Sequence, residues 1–104
     1  MFRRNRFGDV VARQLDVFAE DEEQGLLEEV REKKELYDRA DRDEAEEMYG
    51  DYVDVVEAAT EALADMRRRY AQTLDDDSAE EYEESFNRAV RKRWPPFGLE
   101  IENR

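Results

Sequence analysis

Apolar residues recur along most of this chain at the spacing of helix faces. The longest stripe is Ala45, Tyr49, Tyr52, Val56, Ala59, Leu63, Met66 and Tyr70, in which steps of four and three alternate without a miss. That spacing predicts one long helix over residues 41–74 with a seam that packs against a neighbouring helix. Asp41, followed by Glu44 three positions on, supplies its N-cap, and Leu74 closes it. At 1.5 Å per residue such a helix is about 50 Å long, so the rest of the chain must be arranged around it. Val53 and Val55 flank the seam, and Ala58, Ala62 and Ala64 lie in the same stretch, which makes the stripe too wide for one neighbour. Gly50 lies off the seam and reads as tolerated slack.

A final helix is predicted over residues 78–93. Ser78-Ala79-Glu80-Glu81 reads as a capping box after the acidic turn Asp75-Asp76-Asp77, and Ala79, Tyr82, Phe86, Ala89 and Val90 form the apolar face. Arg91, Lys92 and Arg93 put positive charge in the last turn, and Pro95 disfavours helix at Trp94. Residues 94–104 read as an extended tail: a polyproline-like elbow at Pro95-Pro96-Phe97-Gly98, then strand-like alternation through Leu99, Glu100, Ile101 and Glu102. Residues 7–38 carry two helical faces that do not line up. One is Phe7, Val11, Leu15 and Phe18; the other is Leu27 and Val30, continued by Leu36 or Tyr37. A bent arm or two helices fits this pattern, with the break between Asp21 and Gly25 and a new N-cap at Glu20 or Asp21.

These elements predict an all-α fold in one domain over residues 1–104, a small antiparallel helical bundle with one long heptad-patterned central helix and an extended C-terminal tail. Short connections make the second arm segment run back along the first half of the long helix and the final helix back along its second half. The final helix spans only about 25 Å, so the first arm segment completes a three-helix layer there. Tyr49, Tyr52, Val53 and Val56 are left with one helix of their own chain beside them. The tail folded back as a strap could cover them, or the same surface of a second chain in an isologous four-helix layer, and we expect a homodimer that uses the tail as well.

Composition narrows function mostly by exclusion. The chain has 104 residues, a formal charge of −13, and neither cysteine nor histidine. Thiol nucleophiles, disulfides, thiolate metal sites and imidazole acid–base chemistry are therefore absent. The acidic balance works against nucleic-acid and membrane-surface binding, and neither partner is expected. A mean hydropathy of −1.07 with 45% charged residues lies near the composition of disordered chains, but the helical spacing of the apolar residues argues for a folded one. No apolar run is long enough to span a bilayer and no signal-peptide stretch follows the first residues, so a cytoplasmic protein without a cofactor is expected.

Candidate chemistry is sparse. Glu44 with Glu47, Glu80 with Glu83, and Glu81 with Glu84 lie three apart on helix faces, where a divalent cation could bridge them, but acidic first turns explain the same spacing. Asp54, Glu57 and Asp65 are the seam-adjacent carboxyls that an acid catalyst would use. The clusters Arg3-Arg4-Asn5-Arg6, Arg67-Arg68-Arg69 and Arg91-Lys92-Arg93 read as charges neutralised by neighbouring acids: Arg67 to Arg69 by the start of the final helix, and Arg91 to Arg93 by Glu57 and Glu61. Trp94, Pro95, Pro96 and Phe97 form a preformed knob that either covers its own bundle end or docks in a partner's groove. The candidate interaction residues are therefore Tyr49, Tyr52, Val53, Val56, Trp94, Pro95, Pro96 and Phe97. The expected function is a non-enzymatic protein-interaction protein that self-associates. Alternatives are an acidic inhibitor or nucleic-acid mimic that binds a basic protein surface, and a carboxylate-only binder of divalent cations.

Overall fold

Phe7, Val11, Leu15 and Phe18, spaced by four, four and three, are the buried face of a first helix, and the computed structural model, which describes residues 6–21 and 25–104, forms it as α1 (Gly8–Glu20). The Asp21 N–H closes α1 on the Phe18 carbonyl, and Gly25 takes a left-handed backbone, φ 57°, where α2 (Leu26–Arg39) begins. The break falls where the two faces lose register, with Gly25 rather than Glu20 or Asp21 at the new N-cap; residues 22–24 lie outside the described set.

The long helix is α3 (Ala45–Ala71), about 40 Å long and shorter at both ends than residues 41–74. Its N-cap is Glu44, which makes no side-chain cap bond, and not Asp41 as expected; Asp41 lies in the turn before it, where its carboxylate accepts the Glu44 N–H at 3.1 Å and its carbonyl the Ala45 N–H at 2.9 Å. Next comes α4 (Asp76–Arg93), which starts before Ser78. Asp75 is its N-cap, accepting the Ser78 N–H at 2.8 Å while the Ser78 hydroxyl donates to the other carboxylate oxygen at 3.1 Å. Those two bonds favour the ionised form and hold the Asp75 carboxyl below its ordinary range.

The tail is not extended. Pro95–Phe97 is a turn of 3₁₀ helix and Gly98–Glu102 a short helix, α5. Proline suits the first positions of such a turn because no N–H is needed there. With Leu99 outside and Ile101 fully buried, the alternation that resembles a strand is met by one helical turn. No strand occurs among the described residues.

Contacts fix the directions. Tyr70 meets Tyr82 with ring centroids 4.6 Å apart, and Arg67 reaches Asn87 at 2.6 Å, so α4 runs antiparallel to α3. Phe7 packs edge-on against Tyr82, and Arg93 donates to Asp16 at 2.7 Å, so α1 runs parallel to α4 and rests chiefly on it. α2 folds back along the first half of α3, with the Tyr37 ring 5.3 Å from that of Tyr49. The core is drawn from α1, α4, the tail and the second half of α3, and takes no fully buried residue from α2. On α3 it comprises Val56, Ala59, Thr60, Leu63, Ala64 and Arg67, while Met66 and Tyr70 of the expected seam are half-buried beside it. The outline is accordingly long, 52 × 31 × 21 Å, with a radius of gyration of 15.7 Å against about 13 Å for a compact domain of this length.

Candidate functional site

The loop between α2 and α3 is too short to let the helices separate, so the two form a hairpin that extends beyond the core. Tyr37 anchors it from α2, lying against Tyr49 and stacked nearly parallel to Tyr52 at 6.5 Å. Tyr49 nevertheless remains 51% exposed and Leu36 46%. Apolar side chains left in water on a two-helix layer mark a face that lacks its third layer.

The tail closes only the inner end of that face. The Trp94 N–H donates to the Val90 carbonyl at 2.8 Å, which carries α4 into the turn, and the Trp94 ring is wedged between Phe18 at 5.6 Å and Phe97 at 6.0 Å. The Arg93 guanidinium lies 4.9 Å from the centre of the Trp94 ring. Phe97 and Ile101 are buried, whereas Pro95 and Pro96 are exposed and Leu99 is 79% exposed. The aromatic members of the knob therefore cover their own bundle end, and its prolines face outward.

Two grooves flank the line from Tyr52 to Pro96, residues that both grooves share. On the α2 side a groove of about 350 Å³ is lined by Leu27, Val30, Tyr52, Trp94, Pro96 and Phe97, with Arg31, Lys34 and Glu35 at its polar edge. On the α3 side a groove of about 220 Å³ is lined by Tyr49, Tyr52, Val53, Val56, Pro96 and Leu99, with Glu57 and Glu100. Seven of the eight candidate interaction residues thus line the two grooves, with Val56 and Phe97 as buried floor; Pro95 lies beside them, exposed. Leu27, Val30 and Leu99 were missing from that set. Leu27 and Val30 carried a usable signal, since their stripe had no partner along the first arm segment; Leu99 carried none once read as strand.

The basic rim is locally paired and exposed. Arg31 meets Glu28 at 3.1 Å and Lys34 meets Asp38 at 2.6 Å, and the Asp38 hydrogen bond holds the Lys34 ammonium above its ordinary pKa. Such exposed pairs contribute little to stability, so exchanging them for a partner's carboxylates costs little.

Arg67 faces Glu83 near the start of α4, as expected, and has a further role that the sequence analysis does not predict. It is 5% exposed, donates to Asn87 at 2.6 Å and to the Ile101 carbonyl at 2.9 Å, and lies 3.9 Å from Glu83. Burial pulls the guanidinium pKa down, and Glu83 opposes that. It pins α5 to α3 and α4. The signal was its position four residues after Leu63 on the buried stripe. Of the other basic residues, Arg68 pairs with Asp65 of its own helix and not with the start of α4, and Arg91 pairs with Glu102 and Arg93 with Asp16, so Arg91 and Arg93 do not meet Glu57 and Glu61; Glu61 is held by Arg104. Arg6 pairs with Glu81 at 3.2 Å; Arg3 and Arg4 lie outside the described residues.

Among the carboxyls, Asp54 and Glu57 are exposed on α3 and Asp65 is occupied by Arg68. Of the acidic pairs, Glu81 and Glu83 face Arg6 and Arg67. Among the described residues no group of three or more Asp, Glu, His or Cys is placed to hold a metal ion, and no helix is long and apolar enough to cross a membrane. The sequence matches no family model, and comparison with curated proteins and with solved structures found no match.

Proposed function

We propose that this chain is a non-enzymatic protein-interaction protein whose helical hairpin and tail form a self-association surface. The reading is carried by one observation: Tyr49 and Leu99, 51% and 79% exposed, stand at the edge of an apolar groove on a hairpin that has no third layer among the described residues. Burial in an interface of what remains exposed of each side chain contributes at most about 1.5–3 kcal/mol. A cysteine-free chain also suits a reducing compartment, and we place it in the cytoplasm.

The test is the absolute mass in solution by light scattering, at tens of micromolar, for the wild type, Tyr49→Glu and Leu99→Glu. Both positions are exposed in the single chain, so the fold tolerates the charge. The expected result is a dimeric wild type and monomeric variants. A monomeric wild type overturns self-association and moves the acidic flank of α3 forward as a surface for a basic partner.

A further inference from the structure

We propose that the second copy docks with its twofold axis along the hairpin, so that α2 of each copy lies on α3 of the other. This rests on the self-association proposed above and adds which surfaces meet. Two side-by-side helices can stack face to face on a copy of themselves about either of two axes in the plane between the layers. An axis across the helices puts α2 on α2 and α3 on α3. An axis along them exchanges the two.

Charge distinguishes the arrangements. Between Asp41 and Asp65 the chain has ten acidic residues and one basic residue, Arg42, whereas Leu26–Arg39 has five acidic and four basic. Placing α3 on α3 therefore sets like charges against each other. The exchanged arrangement brings the edge that carries Arg31 and Lys34 beside Glu35 to the edge that carries Glu57 and Glu100, the latter 3.5 Å from Arg104 of its own chain.

Register agrees with charge. Tyr52 and Pro96 line both grooves, so the basic-edged and acidic-edged grooves lie at one height along the hairpin. A twofold axis along the hairpin preserves height, and the basic-edged groove of one copy then faces the acidic-edged groove of the other. Leu99 stands at the edge of the acidic one, beside Glu100 and 79% exposed. In this arrangement it enters the apolar floor of Leu27, Val30 and Phe97 on the second copy, and the contact occurs twice.

Because the chain has no cysteine, single-cysteine variants cross-link only where they are placed. Lys34→Cys and Glu57→Cys, both at exposed positions, are prepared separately, checked for native helix content, and treated with a short bis-maleimide alone and as an equal mixture. The expected result is a linked dimer in the mixture that joins position 34 to position 57, and little from either variant alone. Links of 34 to 34 and 57 to 57, or no link in a dimeric protein, overturn the exchanged arrangement and leave self-association standing; a monomeric wild type removes both.

A charge exchange provides a second readout. Arg31→Glu/Lys34→Glu and Glu57→Lys/Glu100→Lys should each weaken self-association by at least about tenfold, and an equal mixture of the two should restore it. Unchanged self-association of both variants overturns the proposal.

Discussion

At one end of this molecule α1, α4, the tail and the second half of α3 surround Tyr82, Phe86, Leu63, Phe97 and Ile101 so completely that each is at most 1% exposed. At the other end α2 and the first half of α3 carry a comparable set of apolar side chains, Leu27, Val30, Leu36, Tyr37, Tyr49 and Tyr52, and bury none of them fully. The residue types differ little; the number of layers differs. A helix has one apolar stripe, and two helices side by side cover only the line between them, so a third element must cover the outer edges of both stripes. The core end has that element in α1 and α5. Among the described residues the hairpin has only the edge of the tail, and what remains uncovered is the surface for which we propose self-association.

The comparison breaks most sharply under truncation. Phe86→Ala should cost about 3–5 kcal/mol because it opens a cavity among rigid neighbours, whereas Tyr49→Ala should cost the single chain only about 1 kcal/mol through its contact with Tyr37; chemical denaturation of both, at a concentration where the chain is monomeric, compares the two ends directly. A Tyr49→Ala loss as large as that of Phe86→Ala would mean that the hairpin is part of the cooperative core.

Arg67→Ala should cost about 3 kcal/mol, because it leaves the Asn87 side chain and the Ile101 carbonyl without their buried donor. Limited proteolysis should then release the segment after Trp94 before it cuts α4. Release of α2 first would show instead that Arg67 supports the whole bundle rather than the tail.

Tyr82→Phe should cost about 1 kcal/mol through the lost hydrogen bond to Gln14. It also sharpens the contrast in pH. Burial pushes the Tyr82 phenol up to about 12, so below its ordinary value of 10 the folded and unfolded chains are both protonated and its contribution is complete. As pH rises from about 10 through about 12 the unfolded chain ionises first and that contribution is lost. The wild type should therefore lose stability over this window more steeply than Tyr82→Phe, as followed by thermal unfolding. Parallel curves would show that the phenol is not held neutral.

The smallest effect belongs to the hairpin. A methyl group at Gly50 meets nothing within 4 Å, so Gly50→Ala should raise helix stability by about 0.5–1 kcal/mol and slow hydrogen exchange locally in α3 and α2, with little change in α4. Equal slowing in α4 would join the two ends into one unit.

Much of this was written in the residues. Val11, Leu15 and Phe18, then Val56, Ala59 and Leu63, then Tyr82, Phe86 and Val90, recur at helix period, and each set is buried as its spacing requires. The basic last turn of α4 was equally legible, because the dipole acts over one turn, whereas the cap of α3 was not: it falls at Glu44, and Asp41 bonds only in the turn before it. Where two local solutions competed, the reading shifted: the N-cap moved from Ser78 to Asp75, since both have a side chain that can accept the N–H three residues on. Of the candidate site, the apolar content of the hairpin face was visible, while the grooves and Leu99 were not.

The sequence by itself determined the helices, their order and the surplus of apolar surface on the first half of α3, because periodicity and capping are local properties of the chain. Only the tertiary structure decided that the tail coils into α5, that the inward Arg67 finds its partners in Asn87 and the Ile101 carbonyl, and that Tyr52 and Pro96 join two surfaces far apart in sequence. Those outcomes depend on which groups happen to be nearby once the helices have met, and neither a period nor a cap carries that information.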